Sequence, residues 1–319
     1  MHRMNTRKLW IAFSFLAITV FSQTSFAQGL NWEGQTGALI TPFAYTAASP
    51  ARKFGKPEVA FHYLNSGNVI GNDYQFSVTE GFGNRFEAGF TQAFSSSGRS
   101  PLSVLFANGF SELHGKFTVL PENSFNSKWV PAIAVGAIGR FGAQRVSYYT
   151  APPSGGSVSQ TNGDFYIVAT KTITQVKVLP FVLSLGDKLT DASVLGVAGN
   201  AGNGSPSNLG QRWQGRLFGA AAFVVHGPAK SALIFGAEAL QEPRYVQGLN
   251  HYLTGLAGTP VSANIPTSLT YFVRVVPNLK GSPLQVDLGV AQFAGKIAPG
   301  FLPTLDARAR VGMGISYHF

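Results

Sequence analysis

Residues 308–319 read RARVGMGISYHF, a run that finishes on an aromatic residue. Taken alternately, Phe319, Tyr317, Ile315, Met313, Val311 and Ala309 fall on one side of an extended strand, while His318, Ser316, Gly314, Gly312, Arg310 and Arg308 fall on the other. One side suits hydrocarbon and the other suits water. Chain ends ordinarily fray in solvent. An end this regular therefore predicts a strand that is paired along its edges and covered on its apolar side.

The same period of two recurs upstream. Val59, Phe61 and Tyr63 alternate with Glu58, Ala60 and His62; Tyr74, Phe76 and Val78 alternate with Gln75, Ser77 and Thr79; Phe86, Ala88 and Phe90 alternate with Arg85, Glu87 and Gly89. Leu113, Phe117 and Val119 oppose His114, Lys116 and Thr118, and Leu217, Ala221, Phe223 and Val225 oppose Arg216 and His226. Leu269, Tyr271, Val273 and Val275 oppose Thr270 and Arg274, and Leu284, Val286, Leu288 and Val290 oppose Gln285, Asp287 and Gly289. Each is a half-buried strand pattern. Further strands are expected near 130–141, 163–172, 178–187 and 231–241. Tight connections such as Gly81–Asn84 and Pro277–Pro283 alternate with long loops rich in small residues, at 151–163, 199–211 and 242–267.

Composition favours a membrane barrel over a soluble sandwich. Charged residues are only 12% of the chain, with 37 Gly and 26 Phe, about half the usual charged share of a soluble domain. The positions opposite the apolar stripes are mostly Gly, Ala, Ser and Gln, which would make a poor outer surface for a sandwich in water. In a lipid-embedded barrel the bulky residues face acyl chains, small and polar ones line the interior, and closure leaves no unpaired edge. The chain has no cysteine, which excludes disulfides, thiolate metal sites and a cysteine nucleophile.

Residues 1–27 have the form of a secretory signal peptide. Arg3, Arg7 and Lys8 precede the apolar run Leu9–Phe21, and Ser25-Phe26-Ala27 supplies a small-x-small cleavage pattern after Ala27. The run falls short of the roughly 20 residues a spanning helix needs. Setting aside those three cations lowers the formal charge from +10 to +7.

These features together resemble the β-barrel proteins of the Gram-negative outer membrane. The alternating apolar residues Ile315, Tyr317 and Phe319 match that group's C-terminal barrel-assembly signal. The resemblance implies an outer-membrane location, contact with outer-membrane lipid, recognition by the barrel-assembly machinery, and passage of small solutes. At roughly 9–11 residues per tilted strand, the expected fold is all-β, a transmembrane antiparallel β-barrel of about 12 to 14 strands over residues 58–319. Residues 28–57, including the strand-like run Ala38–Tyr45, are expected to form either a first strand or a partial plug.

If the apolar stripe faces lipid, Arg85, Lys116, Arg216, Arg274, Arg308 and Arg310 face inward against Glu58, Glu87, Glu112, Glu238 and Asp287, six cations against five acids. This near balance suggests paired interior charges or a weakly selective pore lining. Trp32, Trp129 and Trp213 would suit interfacial girdles. Asp187, Lys188 and Asp191 read as a solvated turn.

No catalytic residue, metal site or cofactor is expected. The histidines are scattered, there is no HExxH, and Ser111 with His114 lacks the third partner of a triad. The basic residues form no run suited to nucleic acid. A passive channel or transporter is the leading reading, with a barrel enzyme acting on lipid or lipopolysaccharide, or a plugged structural or export-accessory barrel, as alternatives.

Overall fold

The computed structural model describes residues 29–319 except 68–70, 97, 99–108, 147–155, 160, 177–178, 193–212, 229–230, 244–249, 251–253, 255–256, 263, 279–282 and 297–308. The expected signal peptide and Arg308 therefore lie outside the described residues.

Two short strands come first, β1 (Gly29–Leu30) and β2 (Thr36–Gly37), paired only with each other. There follow β3 (Glu58–Asn65), β4 (Asn72–Phe82), β5 (Phe86–Ser95), β6 (Phe110–Leu120) and β7 (Ala132–Phe141). A small hairpin of β8 (Ala143–Val146) and β9 (Gly156–Ser159) intervenes. The chain continues with β10 (Asn162–Ile173), β11 (Phe181–Thr190), β12 (Gln214–His226), β13 (Ala232–Leu240), β14 (Ser268–Val276), β15 (Leu284–Phe293) and β16 (Arg310–His318). Apart from β1, β2, β8 and β9, the strands form one closed antiparallel barrel of 12, each bonded to its neighbours in sequence order.

Closure is made by β16 against β3, with Tyr317 opposite Val59, Ile315 opposite Phe61 and Met313 opposite Tyr63. The last strand thus finds the partner its pattern demanded. Its apolar side joins a continuous outer surface on which Phe61, Phe76, Phe90, Leu113, Phe165, Leu185, Leu217, Tyr271, Leu288 and Ile315 are all exposed. Side chains on the alternate positions turn inward. Along β11, Val182, Ser184, Lys188 and Thr190 are buried while Leu183, Leu185 and Leu189 are exposed. This is the reverse of a soluble fold, and only a hydrocarbon solvent stabilises it.

The connections after β4, β6, β10, β12 and β14 run 3 to 11 residues, whereas those after β5, β7, β11, β13 and β15 run 14 or more, with the six-residue connection after β3 at the same mouth as the long ones. The two mouths therefore differ, as in outer-membrane barrels. Several inward rings lie over a glycine directly opposite on the next strand: Phe218 covers Gly186 and Phe272 covers Gly236, where an added methyl would collide with the ring. Such pairs let a curved wall accept a large aromatic ring without a gap.

Three sequence expectations are corrected. Lys188 lies within β11 and faces inward, while Asp187 is on the outer side of the same strand, because β11 runs on to Thr190 and strand alternation separates adjacent residues. Trp32 is buried in the lumen, whereas Trp129 and Trp213 are exposed. The run Ala38–Tyr45 forms no strand; beyond β2 it makes one isolated bridge, Gly37 to Pro42. A closed barrel offers no free edge for it to join, so its backbone groups need other partners.

Candidate functional site in the barrel lumen

A barrel of this strand number is too wide for wall side chains alone to fill. Here Leu30, Ala38, Leu39, Phe43, Ala44 and Ala47 are buried, as are the polar Asn31, Glu33, Gln35 and Thr41. Their partners lie on strands all around the wall, which places residues 29–47 inside the lumen.

Both ends of this segment lie near the short-turn mouth. Gly29 packs against Gln285, one residue into β15, and against Arg274 near the end of β14. At the other end the Ser49 N–H donates to the side chain of Asn84, in the turn between β4 and β5, at 3.3 Å. Between them the chain turns at Asn31–Gln35, where the Asn31 carboxamide oxygen accepts from the Gln35 N–H at 2.8 Å. Gly34 takes a φ of 80° there, and an added Cβ would strike Thr91 and Ser77. Only glycine meets both demands.

The tip of the turn carries Glu33 into a charged cluster. Arg140 on β7 is fully buried and pairs with Glu33, with Asp164 on β10 at 2.8 Å and with Glu112 on β6 at 3.3 Å. It also donates to Asn162 at 2.9 Å. Lys188 approaches Asp164 at 3.4 Å. Sequence reading missed Arg140, Asp164, Lys188 and Glu33. The first three sit at inward positions of β7, β10 and β11, whose alternation is weaker in the sequence than that of the other strands; Glu33 lies outside any periodic run.

Further along, the wall grips the segment mainly by its backbone. The Glu238 carboxylate on β13 accepts from the N–H groups of Leu39 (3.1 Å), Ile40 (3.0 Å) and Thr41 (2.7 Å). Glu87 on β5 accepts from the N–H of Thr36 at 3.1 Å and of Ala47 at 2.7 Å. Lys116 on β6 bridges Glu87 (2.8 Å) and the Thr36 carbonyl (2.8 Å). Arg274 pairs with Asp287 at 2.7 Å and donates to the carbonyls of Gly37 (3.0 Å) and Ala38 (3.1 Å). Thr170 and Thr118 serve the N–H and carbonyl of Ala44, each at 2.8 Å. These charge-assisted bonds satisfy main-chain groups that no sheet edge could satisfy.

Tyr45 stands by the short-turn mouth, its hydroxyl donating to Glu122 at 3.0 Å and lying 2.6 Å from the Thr172 hydroxyl. Burial, with the Glu122 charge second, holds this phenol above its ordinary range. Trp32 lies with its ring 5.9 Å from that of His62, and the side-chain amide of Gln75 stands against its carbonyl and its indole nitrogen.

Of the expected lumen residues, the structure brings together Lys116, Arg274, Glu87, Glu238 and Asp287, with Glu58 and Glu112 also buried. Arg216 is half-buried on the inward side of β12 and donates to the Gly215 carbonyl at 2.8 Å. Arg310, half-buried at the start of β16, has its guanidinium against Gly67. Arg85 is a correction: it is exposed in the turn between β4 and β5 and belongs to the rim, because β5 begins only at Phe86. Ser111 and His114 are three residues apart on β6 and so point to opposite sides; Ser111 bonds Gln92 at 2.7 Å, and His114 lies 3.2 Å from the Thr79 hydroxyl. Ile315, Tyr317 and Phe319 are exposed on the outside.

A cavity of about 10 Å³ remains beside the segment, bounded by Glu33, Gln35, Thr41, Asp164, Tyr166 and Lys188. That is about one water molecule.

No family model matches the chain, and no curated protein matches it. Among solved structures it is similar to the NanC porin, at 10% identity and a TM-score of 0.44 over 82% of this chain and 100% of that one. It is similar to the KdgM porin in complex with disordered oligogalacturonate, at 11% identity and 0.42 over 82% and 99%. It is also similar to the Acinetobacter baumannii outer membrane protein Omp33, at 8% identity and 0.41 over 84% and 100%. The likeness is one of barrel architecture. The chain is a closed antiparallel barrel of 12 strands with a hydrocarbon-facing exterior and a lumen filled by its own N-terminal segment.

Proposed function

We propose that the protein is an outer-membrane channel for small solutes, closed in the state described by residues 29–47. One observation carries this reading. The lumen wall presents buried charged and polar groups, among them Lys116, Arg140, Arg274, Glu87, Glu238 and Asp287, beside an apolar sector on β7 and β10–β14, and the segment that fills it stands outside the sheet, held by side-chain bonds to its backbone. Withdrawal of such a segment leaves a hydrated path between groups suited to polar solutes; Lys116, Arg274, Arg216, Arg310, Glu87, Glu238 and Asp287 would line it, with Arg85 at the rim. The short-turn mouth faces the periplasm in this reading.

The test is conductance of the refolded chain in a planar bilayer beside the Gly34→Val variant. Valine at Gly34 must adopt a positive φ and overlap Thr91 and Ser77, which unseats the tip while leaving every wall charge in place. Rare or absent openings in the parent and frequent steps in the variant support a closed channel. Silence from both, with each folded and inserted, rejects it in favour of a permanently filled structural barrel. That second reading draws on the small residual cavity of about 10 Å³.

Two expectations about biogenesis belong to the same proposal. Residues 1–27 are removed on export, which the N-terminal sequence of the membrane-extracted protein checks. Ile315, Tyr317 and Phe319 serve the barrel-assembly machinery, so Phe319→Ala should lower insertion in cells several-fold while refolding from urea into detergent proceeds as before.

A further inference from the structure

We propose that the vacated lumen is a binding site for polypeptide that turns as residues 37–42 do, recognised through its main chain. The inference rests on the channel reading and names the class of solute that the channel favours.

Between Thr36 and Ala47 the wall directs its strongest groups at backbone atoms. Glu238 takes three successive N–H groups, Glu87 takes two, Arg274 takes two successive carbonyls, and Lys116, Thr118 and Thr170 take one main-chain atom each. Side-chain hydroxyls of Thr36, Thr41 and Tyr45 add only to partners already placed for the backbone or the rim. The segment's apolar side chains supply bulk: Leu39 reaches Gly289, and Ala38, Phe43 and Ala44 join the buried cluster with Val168, Phe218 and Phe272.

The chemistry selects a ligand. A carboxylate fixed opposite three consecutive N–H donors, and a guanidinium opposite two consecutive carbonyls, match the converging main-chain groups of a peptide turn, closed here by the Ala38 N–H donating to the Thr41 carbonyl at 3.0 Å. An oligosaccharide presents hydroxyls at other spacings and cannot offer a carboxylate a row of amide donors. With the segment gone, Glu238 exchanges three fixed amide donors for water. An incoming peptide repairs that loss; a sugar repairs it poorly. Main-chain recognition is tolerant of sequence, so the class is oligopeptides that can turn in this way.

The experiment uses the full-length mature chain carrying Gly34→Val, folded in detergent and checked by its heat-modifiable gel mobility. A fluorescently labelled peptide with the sequence of residues 36–47 is titrated and its anisotropy followed. Unlabelled native peptide, a scrambled peptide of the same composition, and a maltooligosaccharide of matched length then compete.

Both peptides are expected to compete within about tenfold of each other, with the sugar weaker than either by tenfold or more. Adding Glu238→Gln should weaken the peptides by about tenfold, the scale of a lost charged hydrogen-bond set, with little effect on the sugar. Equal competition by sugar and peptide, peptide affinity untouched by Glu238→Gln, or no peptide binding by the folded variant each overturns the proposal. If the variant conducts yet binds no peptide, the channel reading survives and the peptide site does not.

Discussion

Arg140 concentrates more of the interior electrostatics than any other described side chain, facing Glu33, Glu112 and Asp164 with no exposure to solvent. Removing the shared cation leaves Lys188 alone to face three carboxylates, so Arg140→Gln should destabilise the barrel by about 3–5 kcal/mol, read as a lowered urea midpoint for unfolding from detergent. Glu112→Gln should cost little or even stabilise, since one of its oxygens has no partner and three acids face only Arg140 and Lys188. A large loss in both variants would contradict this asymmetry. The cluster was hidden in the sequence for a simple reason. Arg140 sits in an apolar, glycine-bearing run, and its partners arrive from β6, β10 and the lumen segment, 28, 24 and 107 residues away. The pattern of one strand fixes which way a side chain points, but not whom it meets.

At the level of the strand, period two was enough. The outward stripes on β3, β4, β5, β6, β12, β14, β15 and β16 fall where alternation put them, because a barrel in lipid has one apolar side and tolerates no slip. Parity therefore makes a sharp prediction on β11. Leu185→Arg places a cation in hydrocarbon on a side chain that is 64% exposed there, and should cost about 2–4 kcal/mol if it lies near the bilayer midplane. Leu189→Arg, one residue from the strand end, should cost less, and a urea titration of the two variants side by side checks the order. The lumen segment had no such regularity to read. Its fold follows from wall groups distant in sequence, so Ala38–Tyr45 looked like a strand and Trp32 like a girdle residue. The option of a plug was visible from composition and position, whereas Glu238 as its main anchor was visible only in three dimensions.

For the whole molecule, the expected behaviour is a barrel that folds with or without a seated segment but conducts only without one. Glu238→Ala in the otherwise unaltered chain should raise open probability in a planar bilayer, less than Gly34→Val does, because Glu87, Lys116 and Arg274 still hold the flanking backbone. An increase confined to rim variants such as Arg85→Ala would place the gate elsewhere. The location of both segment ends at the mouth of short turns has a topological consequence. The chain enters and leaves by one door, so the stopper is a bight of rope and not a thread passed through a ring. Such a bight draws out from the short-turn side without any end crossing the barrel and leaves no knot behind.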